Sequence, residues 1–242
     1  MRRTKKLIIA ILIVILVGMV AVLAGTLFLG GGQPSGELAH GDKNVLVCAI
    51  DEGEKRPGMG ACDMAFIVHL QNGTVKNYTA VYPHGMTHPT KAEPAEAQAQ
   101  GAGSKMLLHD SFWYNNTTES MENAKEIVEY NTHVKIDAVV AVNTEAMNAI
   151  MNSAGPLYVD GKKVNTSSIS IVREEQYNAK NTRGNSVLML TKALANATKD
   201  PSKKAAMVQT ALDQYSKGNI VMAPKGDFVG LLSTKGFGSL FG

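Results

Sequence analysis

The 242-residue sequence predicts one α/β domain held outside a membrane by a single N-terminal helix. Three observations carry that expectation. A charge-free run at 7–29 follows a basic tail, short apolar runs bounded by turn residues read as buried strands, and amphipathic stretches alternate with such runs further on, without any internal repeat.

The run at 7–29 has 23 residues, sixteen of them Leu, Ile, Val or Phe. At about 1.5 Å per residue a helix of that length covers a hydrocarbon core of roughly 30 Å. Arg2, Arg3, Lys5 and Lys6 precede it with no acidic residue, so the positive-inside rule keeps residues 1–6 in the cytoplasm and sends the rest outside. A cleaved secretory signal, with Val22-Leu23-Ala24 as its small-residue site, is the alternative, although signal cores usually run about 7–15 residues. Residues 30–43 open with three glycines and read as a flexible linker, leaving 44–242 as the extracytoplasmic domain. With four of the 24 basic residues in the tail, the remainder carries twenty against 21 acidic residues. The basic isoelectric point therefore belongs to the tail, and a nucleic-acid surface is not expected.

Within the domain, 44–50 is a buried strand that ends at Asp51. A charged, Gly-rich loop leads to a second strand at 64–70, and Asn72-Gly73 turns it into a third at 75–81. Three prolines and no amphipathic period make 82–103 a long surface excursion with one helical turn at most. Residues 105–113 are expected to be helical, followed by a helix capped by Thr118 or Ser120 with Met121, Ala124, Ile127 and Val128 on one face. A strand at 136–142 precedes a helix capped by Thr144 and ended by Gly155-Pro156, then a hairpin over Asp160-Gly161. Amphipathic helices at 186–198 and 202–215 flank Pro201, and 226–233 begins a last one.

Six Asn-x-Ser/Thr sequons, at Asn72, Asn77, Asn115, Asn116, Asn165 and Asn196, exceed the two or so that composition predicts and fit an exported, glycosylated surface. Cys48 and Cys62, the only cysteines, are either small buried thiols or a pair.

The chain lacks a zinc-spaced cysteine cluster, a His-Glu-x-x-His helix, a Gly-x-Ser-x-Gly elbow and a Walker loop. Gly58-Met59-Gly60 reads as turn chemistry. Two constellations remain. His84 and His88 lie in the loop 83–89, and His109 stands beside Asp110; two imidazoles and a carboxylate suit zinc, or these are loop and packing histidines. Asp51 and Asp63 end and begin neighbouring strands, where a divalent cation could bridge them to a phosphate and Arg56 could neutralise one, or they are solvated strand ends.

The order 45–51, Asp63 heading an apolar strand, Val81-Tyr82-Pro83-His84, a helix, 136–142 and then 151–159 resembles the extracellular domain of LytR-CpsA-Psr proteins. The span, the Arg56-Pro57-Gly58-Met59-Gly60 loop and 95–104 are more closely similar to an archaeal membrane-anchored family of unknown function, domain of unknown function 4012. The first resemblance implies a single mixed sheet with flanking helices. It also implies an enzyme that moves glycopolymers from a polyprenyl pyrophosphate carrier to the cell wall. It gives Asp51 and Asp63 as the metal-side acids, with magnesium; together with the constellations above, the candidate site is Asp51, Asp63 and His84 as catalytic residues and Arg56, His109 and Asp110 as ligand-binding ones. The sequence departs from that pattern at Pro83-His84-Gly85, where those enzymes read Pro-Arg-Asp, and at Ala61-Cys62, where an Arg usually precedes the acidic strand. Two other classes stay open: a non-catalytic surface domain that binds glycan or protein, and a metal-dependent hydrolase using His84, His88 and His109.

Overall fold

The computed structural model describes residues 37–159, 162–163, 197 and 200–224. Strand β1 (Asp42–Asp51) is followed by β2 (Ala61–Gln71) and β3 (Thr74–Val81), all antiparallel to their sequence neighbours. The β2–β3 turn is Asn72-Gly73, both at positive φ (48° and 76°), as the dipeptide predicts. A small sheet of β4 (Thr87–Ala92) and β5 (Lys105–Leu107) brackets the short helix α1 (Ala95–Ala99). Helix α2 (Thr117–Thr132) leads into β6 (Ala138–Asn143) and α3 (Thr144–Ser153). The ribbon β7 (Tyr158–Val159) with β8 (Lys162–Lys163), helix α4 (Pro201–Ser216) and β9 (Ile220–Ala223) complete the described chain.

The main sheet runs β3-β2-β1-β6-β9, with β1 and β6 parallel and every other pair antiparallel, so it is mixed as expected. All six residues of β6 and six consecutive residues of β1 are buried, which explains their continuous apolar sequence: both faces are covered. Val45, Val47, Val140 and Val142 point to one side, against Ile150 and Met151 of α3 and Met207 and Ala211 of α4. Leu46, Cys48, Ile50, Val139 and Ala141 point to the other, against Met121, Ala124, Ile127 and Val128 of α2 and against Phe112. The period-3.6 stripe of α2 is thus its core face.

Several expectations change. Residues 105–113 form β5 and a 3-10 turn (Leu108–Asp110) rather than a helix, because their amides bond outward: Leu107 N–H donates to Glu93 Oε2 (3.1 Å) and Leu108 N–H to Met86 O (3.0 Å). The excursion 82–103 holds a strand, β4, paired to β5. Asn116, not Thr118 or Ser120, caps α2, its Oδ1 accepting from Glu119 N–H (3.2 Å), and Asn143 rather than Thr144 caps α3. Asp200 caps α4, with Pro201 in its first turn. Strand β9 is too short and too weakly patterned to be read from sequence; its pairing with β6 forms it.

Cys48 and Cys62 are free buried thiols. Among the described residues no helix is long and apolar enough to cross a membrane; the predicted span 7–29 lies outside them. The expected helices at 186–198 and 226–233, the Asp160-Gly161 turn and the sequons Asn165 and Asn196 also fall outside, except for Ala197, which is helical and buried. Asn72, Asn77, Asn115 and Asn116 are exposed.

Candidate functional site

The antiparallel pairing of β1 with β2 and of β2 with β3 brings the end of β1, the start of β2 and the end of β3 to one pole of the sheet. At that pole the β1–β2 register slips: Ala49 opposes Met64 and Ile50 opposes Cys62, leaving Asp63 as the extra residue of a bulge. Bulges re-aim side chains, and this one presents a half-buried carboxylate at the sheet end. After β3, Pro83 fixes the first position of a 3-10 turn (Pro83–Gly85) that carries the exposed His84. The second 3-10 turn, Leu108–Asp110, sets His109 and Asp110 beneath it, both buried.

The loop 52–60 closes the arrangement, and its geometry explains Gly58 and Gly60. Gly58 N–H donates to Trp113 O (2.7 Å), and a side chain at Gly58 would strike the carbonyls of Phe112 and Tyr114. Gly60, at φ 129°, leaves no room for a Cβ beside the Asp51 carbonyl. This close approach delivers the buried Arg56, which forms ion pairs with Asp110 and with Glu54 (3.0 Å) and donates to His109 O (3.0 Å). Its guanidinium lies over the Trp113 ring at 4.7 Å.

His109 sits between two carboxylates. Its Nδ1 is 3.2 Å from Asp110 Oδ1, and its Nε2 is 3.5 Å from Asp63 Oδ1 and 3.7 Å from Glu54 Oε1. The His84 and His109 rings are 4.1 Å apart, and donor atoms of Asp63, His84 and His109 all lie within 4.8 Å of one another. Burial disfavours charge on His109, but Asp110 and Asp63 outweigh it and hold the imidazole up at about 9. Burial and the neighbouring His109 push His84 down, so it is neutral with a free lone pair. Burial, with Asp110 beside it, pushes Glu93 up to about 8. The Asp110 carboxyl, although burial opposes its charge, is held below the usual range by His109, Glu93 and Arg56. The formal charges of Arg56 and His109 face those of Asp110, Asp63 and Glu54, so the pole carries an excess of negative charge.

Of the sequence-predicted residues, Asp63, His84, His109, Asp110 and Arg56 converge here. Asp51 opposes Ala61 at the end of β1, and its Oδ1 accepts from Gly53 N–H (2.7 Å), outside the cluster with the two histidines. Arg56 pairs with Asp110 and Glu54, not with Asp51 or Asp63. His88 is buried away from the cluster, its Nδ1 accepting from Thr90 and Lys91 N–H and its Nε2 2.8 Å from Glu126, which gives it a structural role. Sequence reasoning missed Glu93, which lies in an Ala/Pro-rich stretch without periodic signal, and Glu54. It also missed Glu52, whose carboxylate accepts from Thr144 and Glu145 N–H (both 2.9 Å) at the start of α3. On the other side of the same loop, a 380 Å³ cleft is lined by Glu52, Met59, Asn115, Asn143 and Asn219 among others.

The α/β fold is shared with solved structures. A protein of Streptococcus agalactiae matches at 11% identity with a TM-score of 0.53, covering 84% of this chain and 78% of that one. A transcriptional regulator of Enterococcus faecalis matches at 13% identity and 0.52, covering 83% and 73%. A LytR-Csp2A-Psr enzyme of Actinomyces oris matches at 12% identity and 0.51, covering 82% and 76%. These likenesses define the class as a LytR-CpsA-Psr-like α/β fold. No curated protein matches the chain. The family model described as protein of unknown function (DUF4012) matches residues 40–177, more than half of the chain, and the chain belongs to that family.

Proposed function

We propose that the chain is a single-pass envelope protein of an archaeon, its N-terminus cytoplasmic and its domain outside the cell membrane. In this reading the domain binds or transfers a wall glycopolymer carried on a polyprenyl pyrophosphate. The observation that carries the reading is the meeting of Asp63, His84 and His109 at the end of the sheet, on a fold shared with a LytR-Csp2A-Psr enzyme. Ligands of open α/β sheets gather at strand ends of this kind. Asp110, Glu93 and Arg56 position His109; Asp63 and His84 face the ligand. The uncharged run at 7–29 supports the anchor, and the sequons support an exported surface.

Magnesium, implied by the resemblance, suits this pole poorly. It demands oxygen donors in near-octahedral geometry, whereas two of the three converging residues offer imidazole nitrogens and the Asp51 carboxylate is engaged by its own loop. The test is thermal unfolding of the full chain in detergent with a short-chain polyprenyl pyrophosphate, with and without magnesium. Ligand at a hundred times its Kd adds about 2.7 kcal/mol, so Tm should rise, and D63N with H84Q should abolish the rise. No rise at saturation overturns the carrier-linked reading.

One observation favours the second reading, a non-catalytic glycan- or protein-binding domain: the guanidinium of Arg56 is taken up by Asp110 and Glu54 and is not free to grip a phosphate. Retained binding to isolated wall material without transfer would select it.

A further inference from the structure

We propose that Asp63, His84 and His109 form a site for a borderline transition-metal dication, zinc foremost, with a coordination position open to solvent. The donor set is the first argument. Imidazole nitrogens and a carboxylate are the ligands that suit zinc and its neighbours, and three protein ligands with an open position characterise reactive rather than structural zinc. The three donors lie within 4.8 Å of one another, and their exposure is graded from buried His109 through half-buried Asp63 to exposed His84, so the open position faces solvent on the His84 side.

The second argument is orientation. A metal-bound histidine typically donates its other ring N–H to a carboxylate that fixes tautomer and ring direction. In His109, Nδ1 faces Asp110 Oδ1 at 3.2 Å, with Arg56 Nη2 also 3.2 Å away, and Nε2 is directed towards Asp63, where the metal would take the place of the ring proton. Asp110 is itself held by Arg56 and Glu93, so the imidazole is anchored from behind. Asp63 is aimed by a bulge and His84 by a Pro-initiated turn. Glu54 Oε1, 3.7 Å from His109 Nε2, adds negative charge beside the site while it stays paired with Arg56. The pole's excess of negative charge is what a dication would neutralise.

The site lies at the sheet end to which the function proposed above is assigned and would supply it with a cation, but metal binding needs no glycan. The experiment therefore uses metal alone on the untagged full chain in detergent, stripped with chelator, so the two readings fail separately. Zinc is titrated against a chromophoric competitor, and cobalt(II) is added to read ligand geometry from its visible absorption. One equivalent of zinc should bind far more tightly than magnesium, and cobalt should give the intense bands of a low-coordinate nitrogen–oxygen site. H84Q and D63N, both at solvent-reached positions that should leave folding intact, should each weaken zinc at least tenfold. D110N, behind the ligand, should weaken it by about ten- to a hundredfold, while H40A should leave it unchanged. Zinc binding no tighter than magnesium, or equal binding by wild type, H84Q and D63N, would overturn the assignment.

Discussion

The two faces of one sheet are built on different principles. The face towards α3 and α4 is closed almost wholly by apolar side chains, among them Val45, Val140, Met151, Met207 and Ile220, with Gln214 of α4 the buried polar exception, accepting from Asn219. The face towards α2 has an equally apolar centre, with Leu46, Ile67, Phe112 and Ile127, but its margin holds buried His88, Glu93, His109, Asp110 and Asn123. Burying such groups is costly unless each is paired, and here each charge is answered by another. The first face holds the fold together; the second holds a charged network in a fixed shape at the sheet's end, which is how a site is kept rigid.

The most direct way to break the contrast is D110A. It leaves Arg56 and His109 without their shared buried carboxylate, and breaking a buried pair typically costs 3–5 kcal/mol, so urea unfolding should show a loss of about that size. A loss below about 1 kcal/mol would mean that the network is solvated and that the two faces do not differ.

The pH dependence of stability probes the same network more gently. Glu93 titrates at about 8 in the folded chain against an ordinary 4.5, so its contribution is complete below 4.5 and is lost as pH rises towards 8. His109, raised from 6.5 to about 9, contributes below 6.5 and loses that contribution by 9. Asp110, lowered, acts in the opposite sense, and only as pH falls towards 3.8 and below. Urea midpoints should therefore decline from pH 5 to 9. E93Q should flatten the decline between pH 5 and 6.5 and leave the part due to His109. A midpoint that rises over pH 5 to 6.5 in the wild type would refute the raised titration of Glu93.

Gly58→Ala tests how the network is delivered rather than how it is charged. The added methyl would meet the backbone carbonyls of Phe112 and Tyr114, which cannot rotate aside, so overpacking of about 1–3 kcal/mol is expected. Intrinsic tryptophan fluorescence should report the shift, since Trp113 lies under Arg56.

The central strands, the Asn72-Gly73 hairpin and the core stripe of α2 were legible in the sequence because period and turn chemistry are local. The site was legible in its residue types at Asp63, His84, His109, Asp110 and Arg56, but not in its partnerships. The bulge that aims Asp63 is a property of register between two strands, and Arg56 meets Asp110 only because Gly58 lets two loops touch. Glu93 is invisible in a stretch without period, since its burial depends on the pairing of β4 with β5. Strand β9 is four residues whose ladder exists only beside β6.

The smallest effect sharpens the comparison by asking whether the two faces are alike where they are only packed. Ile127 on α2 and Ile220 on β9 are both essentially inaccessible and lie in the cores of opposite faces. Removing one methylene from each, as I127V and I220V, should cost about 0.5–1.5 kcal/mol apiece in urea unfolding. The positions lie on opposite sides of the sheet, so the double variant should show the sum within about 0.5 kcal/mol. If I127V costs several times more than I220V, the α2 face is strained against the charged margin, and the network transmits its rigidity into the core. Equal costs would confine the difference between the faces to the margin, where the histidines and carboxylates lie.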